Sequence, residues 1–173
     1  MRRMGLDPWE EIDVTSWAVE SPELRGKRAK TWVVAPDGAV WLRKQPLQTR
    51  PSEIAIEAIT ARIARAVGLD APVTHACVWG GANRGLLVKR FLDPAHEMLS
   101  SGFERLRVTY ADYDPEKHGH HTLDRVMSTL DFLELDQPGA DLVHPFAQML
   151  TFDAWVGNSD RHQENWAMLV DTL

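Results

Sequence analysis

No hydrophobic run in this sequence approaches the roughly 20 residues that a bilayer-spanning helix needs. Cysteine is nearly absent: the single Cys77 excludes an intrachain disulfide and fits a reducing compartment. The start, Met1-Arg2-Arg3-Met4, is basic but runs at once into Asp7, Trp9 and Glu10, so it does not read as a signal peptide. A cytoplasmic location without a membrane partner is the expectation. Positive charge is also in deficit, since 19 basic residues against 25 acidic leave a net charge of −6. That sign argues against a nucleic-acid partner, whose backbone would repel the chain. Internal repeats and low-complexity segments are missing, which excludes solenoid and linker architectures.

What remains is an ordinary globular composition of 44% hydrophobic and 25% charged residues. The length of 173 residues suits one cored domain or two small lobes. Two β-like runs, Thr31-Trp32-Val33-Val34 and Ala39-Val40-Trp41-Leu42, flank Ala35-Pro36-Asp37-Gly38, a strong hairpin turn. Ser52 is placed to cap a helix over 52–67, and Ile56, Ile59, Ile63, Ala66 and Val67 repeat at helical spacing as a buried stripe. Gly68 would end that helix in a left-handed cap. Two more strands are expected at 72–79 and 84–91. Residues 93–120 read as a long loop with a short helix near 97–106. Helices follow at 121–133 and 144–156, the second apolar on nearly all sides and therefore expected in a core. Trp166-Ala167-Met168-Leu169-Val170 reads as a strand. Strands with one helix, then helices, predict an α+β protein with a small sheet-based lobe and a mainly helical second lobe.

The chemistry concentrates in Gly157-Asn158-Ser159-Asp160-Arg161-His162-Gln163-Glu164-Asn165, a polar loop between an apolar helix and an apolar strand. Four residues separate Asp160 from Asn165, the spacing protein kinases use for a catalytic aspartate and a magnesium-binding asparagine. A kinase also needs a strand lysine for the nucleotide phosphates and a helix glutamate to position it. Lys44 ends the second hairpin strand, and Glu57 lies near the middle of the next helix. Glu57 has Thr60 and Ala61 downstream and Glu53 upstream, so no cation faces it on its own helix at those positions and a partner off the helix is plausible, with Lys44 the natural candidate. Each of these charges taken alone reads as a solvated surface group; their order along suitable elements is what makes them a constellation.

The run from Phe152-Asp153-Ala154-Trp155-Val156-Gly157-Asn158 through Asp160-Arg161-His162 to Glu164-Asn165-Trp166 resembles the catalytic-loop signature of HipA-like kinases. Lys30-Thr31-Trp32, Trp41-Leu42-Arg43-Lys44 and the Glu57 helix ending in Val67-Gly68-Leu69-Asp70-Ala71-Pro72 are similar to the small lobe of the same family. Leu86-Leu87-Val88-Lys89-Arg90-Phe91 resembles the strand leading to its adenine-contacting hinge. The resemblance implies a protein-kinase-like fold with an extension over 1–23. A small, antiparallel-sheet nucleotide-binding lobe over 24–92 and a partial large lobe over 93–173, with its catalytic loop at 157–165, would follow. It implies ATP and Mg2+ as cofactors and a protein serine or threonine as phosphoryl acceptor. Lys44, held by Glu57, would contact the phosphates; Asp160 would be the catalytic aspartate and Asn165 a metal ligand. Gly26, Lys27 and Arg28, within the basic cluster of Arg25 to Lys30, would lie near the phosphates, and Lys89 and Phe91 near the base. His162 would brace the loop.

One departure stands out. Kinases hold a second magnesium with an aspartate on the strand that returns after the catalytic-loop strand, whereas Asp171 lies on the outgoing strand itself. The site is therefore expected to be incomplete without a partner or a further segment, and β-strand 166–170 to lack a neighbour. A non-catalytic nucleotide- or partner-binding pseudokinase is the main alternative. A phosphoinositide-type lipid kinase, suggested by Asp160-Arg161-His162, is set below it because no basic amphipathic helix is present. His118-Gly119-His120-His121 reads as a polar loop before it reads as a metal site, for want of a cysteine or carboxylate array beside it.

Overall fold

The computed structural model describes residues 10–23, 29–117, 119–136 and 139–172. The chain divides into two compact units, Met1–Phe91 and Leu92–Leu173.

The first unit is a six-stranded sheet in the order β1-β5-β6-β4-β3-β2, with one helix. Its strands are β1 Ile12–Asp13, β2 Ala18–Glu23, β3 Lys30–Val34, β4 Val40–Lys44, β5 Thr74–Trp79 and β6 Asn83–Lys89. All neighbours are antiparallel except β1 and β5. The hairpin between β3 and β4 forms as the sequence predicts, with Trp32 opposite Leu42. Gly38 takes φ 84° in the turn, and the Asp37 carboxylate accepts the Ala39 N–H at 3.0 Å. Val14, Val33, Trp41, Cys77 and Leu87 fill one face of the sheet. On the other face Leu42, Leu86 and Val88 meet Ile54 and Ala58 of α1, Glu53–Ala66.

The structure corrects several expectations here. Residues 10–23, part of the segment read as an extension, contribute β1 and β2 to the sheet; both are edge strands, too short and polar to show alternation. Ser52 occupies the N-cap position of α1, yet its side chain makes no capping bond because its backbone is already helical. The buried stripe of α1 is a different one. Ala58 and Ala64 are buried, whereas Ile56, Ile59 and Val67 are 59%, 42% and 53% exposed. The small residues Ala58 and Ala64 take the inward positions, with Ile54 beside them on the sheet, which leaves Ile56 and Ile59 facing outward. Gly68, at φ 86°, ends the helix as expected, with the Leu69 N–H bonded to the Ala64 carbonyl at 2.9 Å.

The second unit comprises β7 Glu97–Ser101, α2 Gly102–Thr109, α3 Leu123–Asp136, α4 Val143–Val156 and β8 Ala167–Asp171. Its core joins Leu106, Val126, Leu130, Phe146, Trp166 and Met168. The helix expected near 97–106 is a strand followed by a helix. Glu97–Ser101 pairs along its whole length with β8, a partner invisible to local pattern, and α2 starts at Gly102 behind a Ser101/Glu104 capping box. The strand expected to lack a neighbour therefore has one, in register from Ser101 opposite Ala167 to Glu97 opposite Asp171. Helix α4 is not enclosed on all sides: Phe146 and Asp153 are buried, but Trp155 is 66% exposed. The first N–H groups of α4 find the carboxylate of Glu134 on α3, which accepts from Leu142 and Val143 at 2.6 and 3.0 Å. Among the described residues no helix is long and apolar enough to cross a membrane.

Candidate functional site

In the first unit, Lys44 closes β4 opposite Lys30 on one side and Leu86 on the other. That register turns its side chain toward α1, where its ammonium donates to Glu57. The two side chains retain 19% and 34% of their exposure, so the pair is largely withdrawn from water. Gly85 supports the arrangement from β6: a Cβ there would stand 2.4 Å from the Lys44 carbonyl oxygen. The sequence thus names both members of the pair and the elements that carry them. Lys89 ends β6 with its N–H on the Val73 carbonyl at 2.9 Å, and Phe91, just beyond, is 61% exposed. Gly26, Lys27 and Arg28 lie outside the described residues.

In the second unit, the loop after α4 is held at both ends. Gly157, at φ 74°, turns the chain out of the helix, and the Asn158 N–H bonds the Asp153 carbonyl at 2.8 Å. At the far end, the first N–H groups of α2 point at the loop, Gly102 to the Trp166 carbonyl and Phe103 to that of Gln163, both at 2.9 Å. Trp166 is 6% exposed and meets Phe146 edge-on at 5.4 Å. Its indole N–H faces His121 Nε2 at 3.4 Å. Burial is the main cause that lowers the pKa of His121, which keeps it a neutral acceptor.

Between these anchors, Asp160 and Asn165 come together. The Asn165 amide donates to the Asp160 carbonyl oxygen at 2.5 Å and to its carboxylate at 3.1 Å. Asn165 thereby commits its nitrogen to Asp160 and leaves Oδ1 as the atom that suits a cation. His162 accepts the Glu164 N–H at Nδ1, so its proton sits on Nε2, 3.7 Å from Asp160 Oδ1. The Asp160 side chain is 81% exposed.

Asp153 is the residue that sequence reasoning missed. Its carboxylate receives two bonds from the Arg161 guanidinium, at 2.6 and 2.8 Å, and one from the Asn158 amide at 2.8 Å. Burial pushes its pKa up; the Arg161 and Asn158 hydrogen bonds and the Arg161 charge outweigh that and hold it below the usual carboxylate range. Arg161 in turn donates to the Asn165 carbonyl. A chain of bonds therefore runs from Asp153 through Arg161 to Asn165 and Asp160. The available signal was a lone carboxylate in the mostly apolar second half of α4. Of the histidine cluster, His118 lies outside the described residues, His120 accepts the Asp114 N–H at 3.0 Å, and His121 is engaged by Trp166. No group of three metal-ligating side chains is clustered among the described residues.

A strand lysine paired to a helix glutamate in one unit, and an Asp-x4-Asn loop pinned between helix and strand in the other, are the parts of a kinase-like protein. The fold agrees. The chain superposes on the crystal structure of a Helicobacter pylori proinflammatory kinase, CtkA, with a TM-score of 0.71 and 19% identity. The match covers 93% of this chain and 55% of that one, so this chain spans about half the length of that neighbour. No curated protein matches the sequence. The family model of the HipA-like C-terminal domain matches residues 22–172, and the chain belongs to that family.

Proposed function

We propose that this chain supplies the nucleotide-binding and catalytic-loop residues of an ATP-dependent protein serine/threonine kinase. The observation that carries the reading is the pair of preformed contacts, Lys44 with Glu57 and Asp160 with Asn165, in a chain of the HipA-like family. Lys44 takes the ATP phosphates, and Glu57 holds its ammonium in place. Lys89 and Phe91 lie toward the base, and Gly26, Lys27 and Arg28 toward the phosphates. Asn165 Oδ1 holds a magnesium ion, which would neutralise charge on the phosphoryl group being transferred. Asp160 accepts the proton of an acceptor hydroxyl as its oxygen attacks the γ-phosphorus and the ADP oxygen leaves. His162, with its proton on Nε2, steadies Asp160 rather than taking that proton.

Asp171 stands at the end of β8 opposite Glu97, and this reading does not assign it as the second metal carboxylate. Full turnover requires that carboxylate from a further segment or a partner. The compartment is cytoplasmic in this reading, and the acceptor is a protein.

The test is transfer of labelled γ-phosphate to a serine-rich protein such as casein, with phosphoinositide vesicles as a parallel arm. Label in the protein, lost in Asp160→Asn while ATP still binds, is the expected result. Label in the lipid instead would contradict the assigned acceptor. ATP binding with no transfer to either would select the pseudokinase reading.

A further inference from the structure

The chain stays tied to the sheet past the end of β6. The Arg90 N–H bonds the Val40 carbonyl at 2.9 Å, which carries the ladder one residue beyond Lys89. Register puts Trp32, Leu42 and Val88 in one row across β3, β4 and β6. Side chains alternate along a strand, so Lys44, two residues past Leu42, and Arg90, two past Val88, share the face of that row. It is the face on which α1 packs. Because β4 and β6 run antiparallel, Lys44 and Arg90 lie on opposite sides of the row, each about 7 Å along the strand from it. Trp32 therefore stands between the phosphate-side lysine and the exit toward Phe91.

The Arg90 guanidinium lies over the Trp32 ring, 4.3 Å from its centroid, and donates to the Glu20 carboxylate at 2.5 and 3.4 Å. Glu20 belongs to β2, three strand spacings from β6, or about 14 Å across the sheet. It is the extra residue of a bulge, since Val19 faces Val33 and Ser21 faces Trp32. Bulges re-aim a side chain, and here the re-aimed carboxylate receives Arg90. An exposed ion pair alone contributes about 0–1 kcal/mol. The Arg90 side chain retains only 19% of its exposure and is stacked on an aromatic face as well, which strengthens the hold. A bulge, a strap over β3 and β4 and a stacked ring thus converge on the single residue between Lys89 and Phe91.

We propose that Arg90 is a positioning residue for the nucleotide base: clamped by Glu20 and Trp32, it fixes the backbone from which Phe91 meets the base. The inference rests on the reading of Lys89 and Phe91 as base-side residues. Arg90 acts through its neighbour and does not itself touch the nucleotide. A segment already held in its binding position loses less freedom when the ligand arrives, and that difference appears as affinity.

The experiment compares ATP with inorganic tripolyphosphate, which carries the phosphates without the base, in calorimetric titrations of the full chain with Mg2+. Arg90→Ala is expected to bind ATP about 10-fold more weakly while its tripolyphosphate affinity, set by Lys44, stays within about two-fold of wild type. Lys44→Ala gives the opposite pattern and weakens both ligands. Glu20→Gln keeps its shape at a side chain 39% exposed and loses part of the ATP affinity in the same selective way. Arg90→Lys recovers part of it, because an ammonium keeps the attraction to the carboxylate and the ring without the planar fork. ATP affinity unchanged in both Arg90→Ala and Glu20→Gln, or equal weakening of the two ligands in both, would overturn the proposal. So would a wild-type chain that takes tripolyphosphate as tightly as ATP. A wild-type chain that binds neither ligand would instead overturn the nucleotide reading itself, and this inference with it.

Discussion

Replacing Asp153 with Asn keeps the shape of the side chain and removes its charge, which makes it a direct probe of how the catalytic loop is held. Asp153 is 5% exposed, and the Arg161 side chain retains 25% of its exposure. Removing one member of a fully buried ion pair costs about 3–5 kcal/mol, because the other charge is left uncompensated. Water reaches part of Arg161, so about 2–4 kcal/mol is expected here. Urea denaturation of Asp153→Asn against wild type reads that loss. Asp160→Asn is the control: its side chain is 81% exposed, so its stability stays within about 0.5 kcal/mol of wild type. In an Arg161→Gln background, the same Asp153 change costs at least about 1 kcal/mol less, since the pair is already broken. The pH dependence follows from the lowered pKa. A carboxyl depressed in the folded state stabilises fully above its unfolded pKa of about 4, and that contribution is lost as pH falls through the lower native value. The gap between wild type and Asp153→Asn therefore narrows below about pH 4. An Asp153→Asn variant as stable as wild type at neutral pH, or equal costs in both backgrounds, would refute the reasoning.

Gly102→Ala places a Cβ 2.0 Å from the Trp166 ring, which Phe146 keeps from moving; thermal melting shows a loss of about 1–3 kcal/mol, and a neutral result would contradict the packing. Cys77 is fully buried, and burial pushes its thiol pKa up to about 12. Alkylation at pH 8 consequently proceeds only through unfolding, and rapid labelling of the native chain would contradict its place in the sheet.

Where local pattern and tertiary packing agreed, the sequence was legible. Ala35-Pro36-Asp37-Gly38 fixes a turn on its own backbone preferences, and Gly68 and Gly157 end helices for the same reason. The kinase-like residues could be found because their spacing is short, as in Asp160 to Asn165, or because a missing partner showed in one element, as for Glu57. Misreadings arose where a distant segment decides. Glu97–Ser101 is a strand only because β8 lies beside it. The burial of α1 could not be read from hydrophobicity, since Ala58 and Ala64 face the sheet and the larger Ile56 and Ile59 do not. Asp153 was given no role because its partner Arg161 lies eight residues on, beyond the helix, and only the folded loop brings the two together.

The central proposal is that the chain binds ATP through Lys44, held by Glu57, and a magnesium ion through Asn165. Calorimetric titration of the full chain with ATP, with and without Mg2+, beside Lys44→Ala and Asn165→Ala, tests it most directly. The account predicts saturable binding that Mg2+ strengthens, at least 10-fold weaker in Lys44→Ala and without the Mg2+ effect in Asn165→Ala. A folded wild-type chain that takes up no ATP, or binds it equally well in both variants, would contradict it.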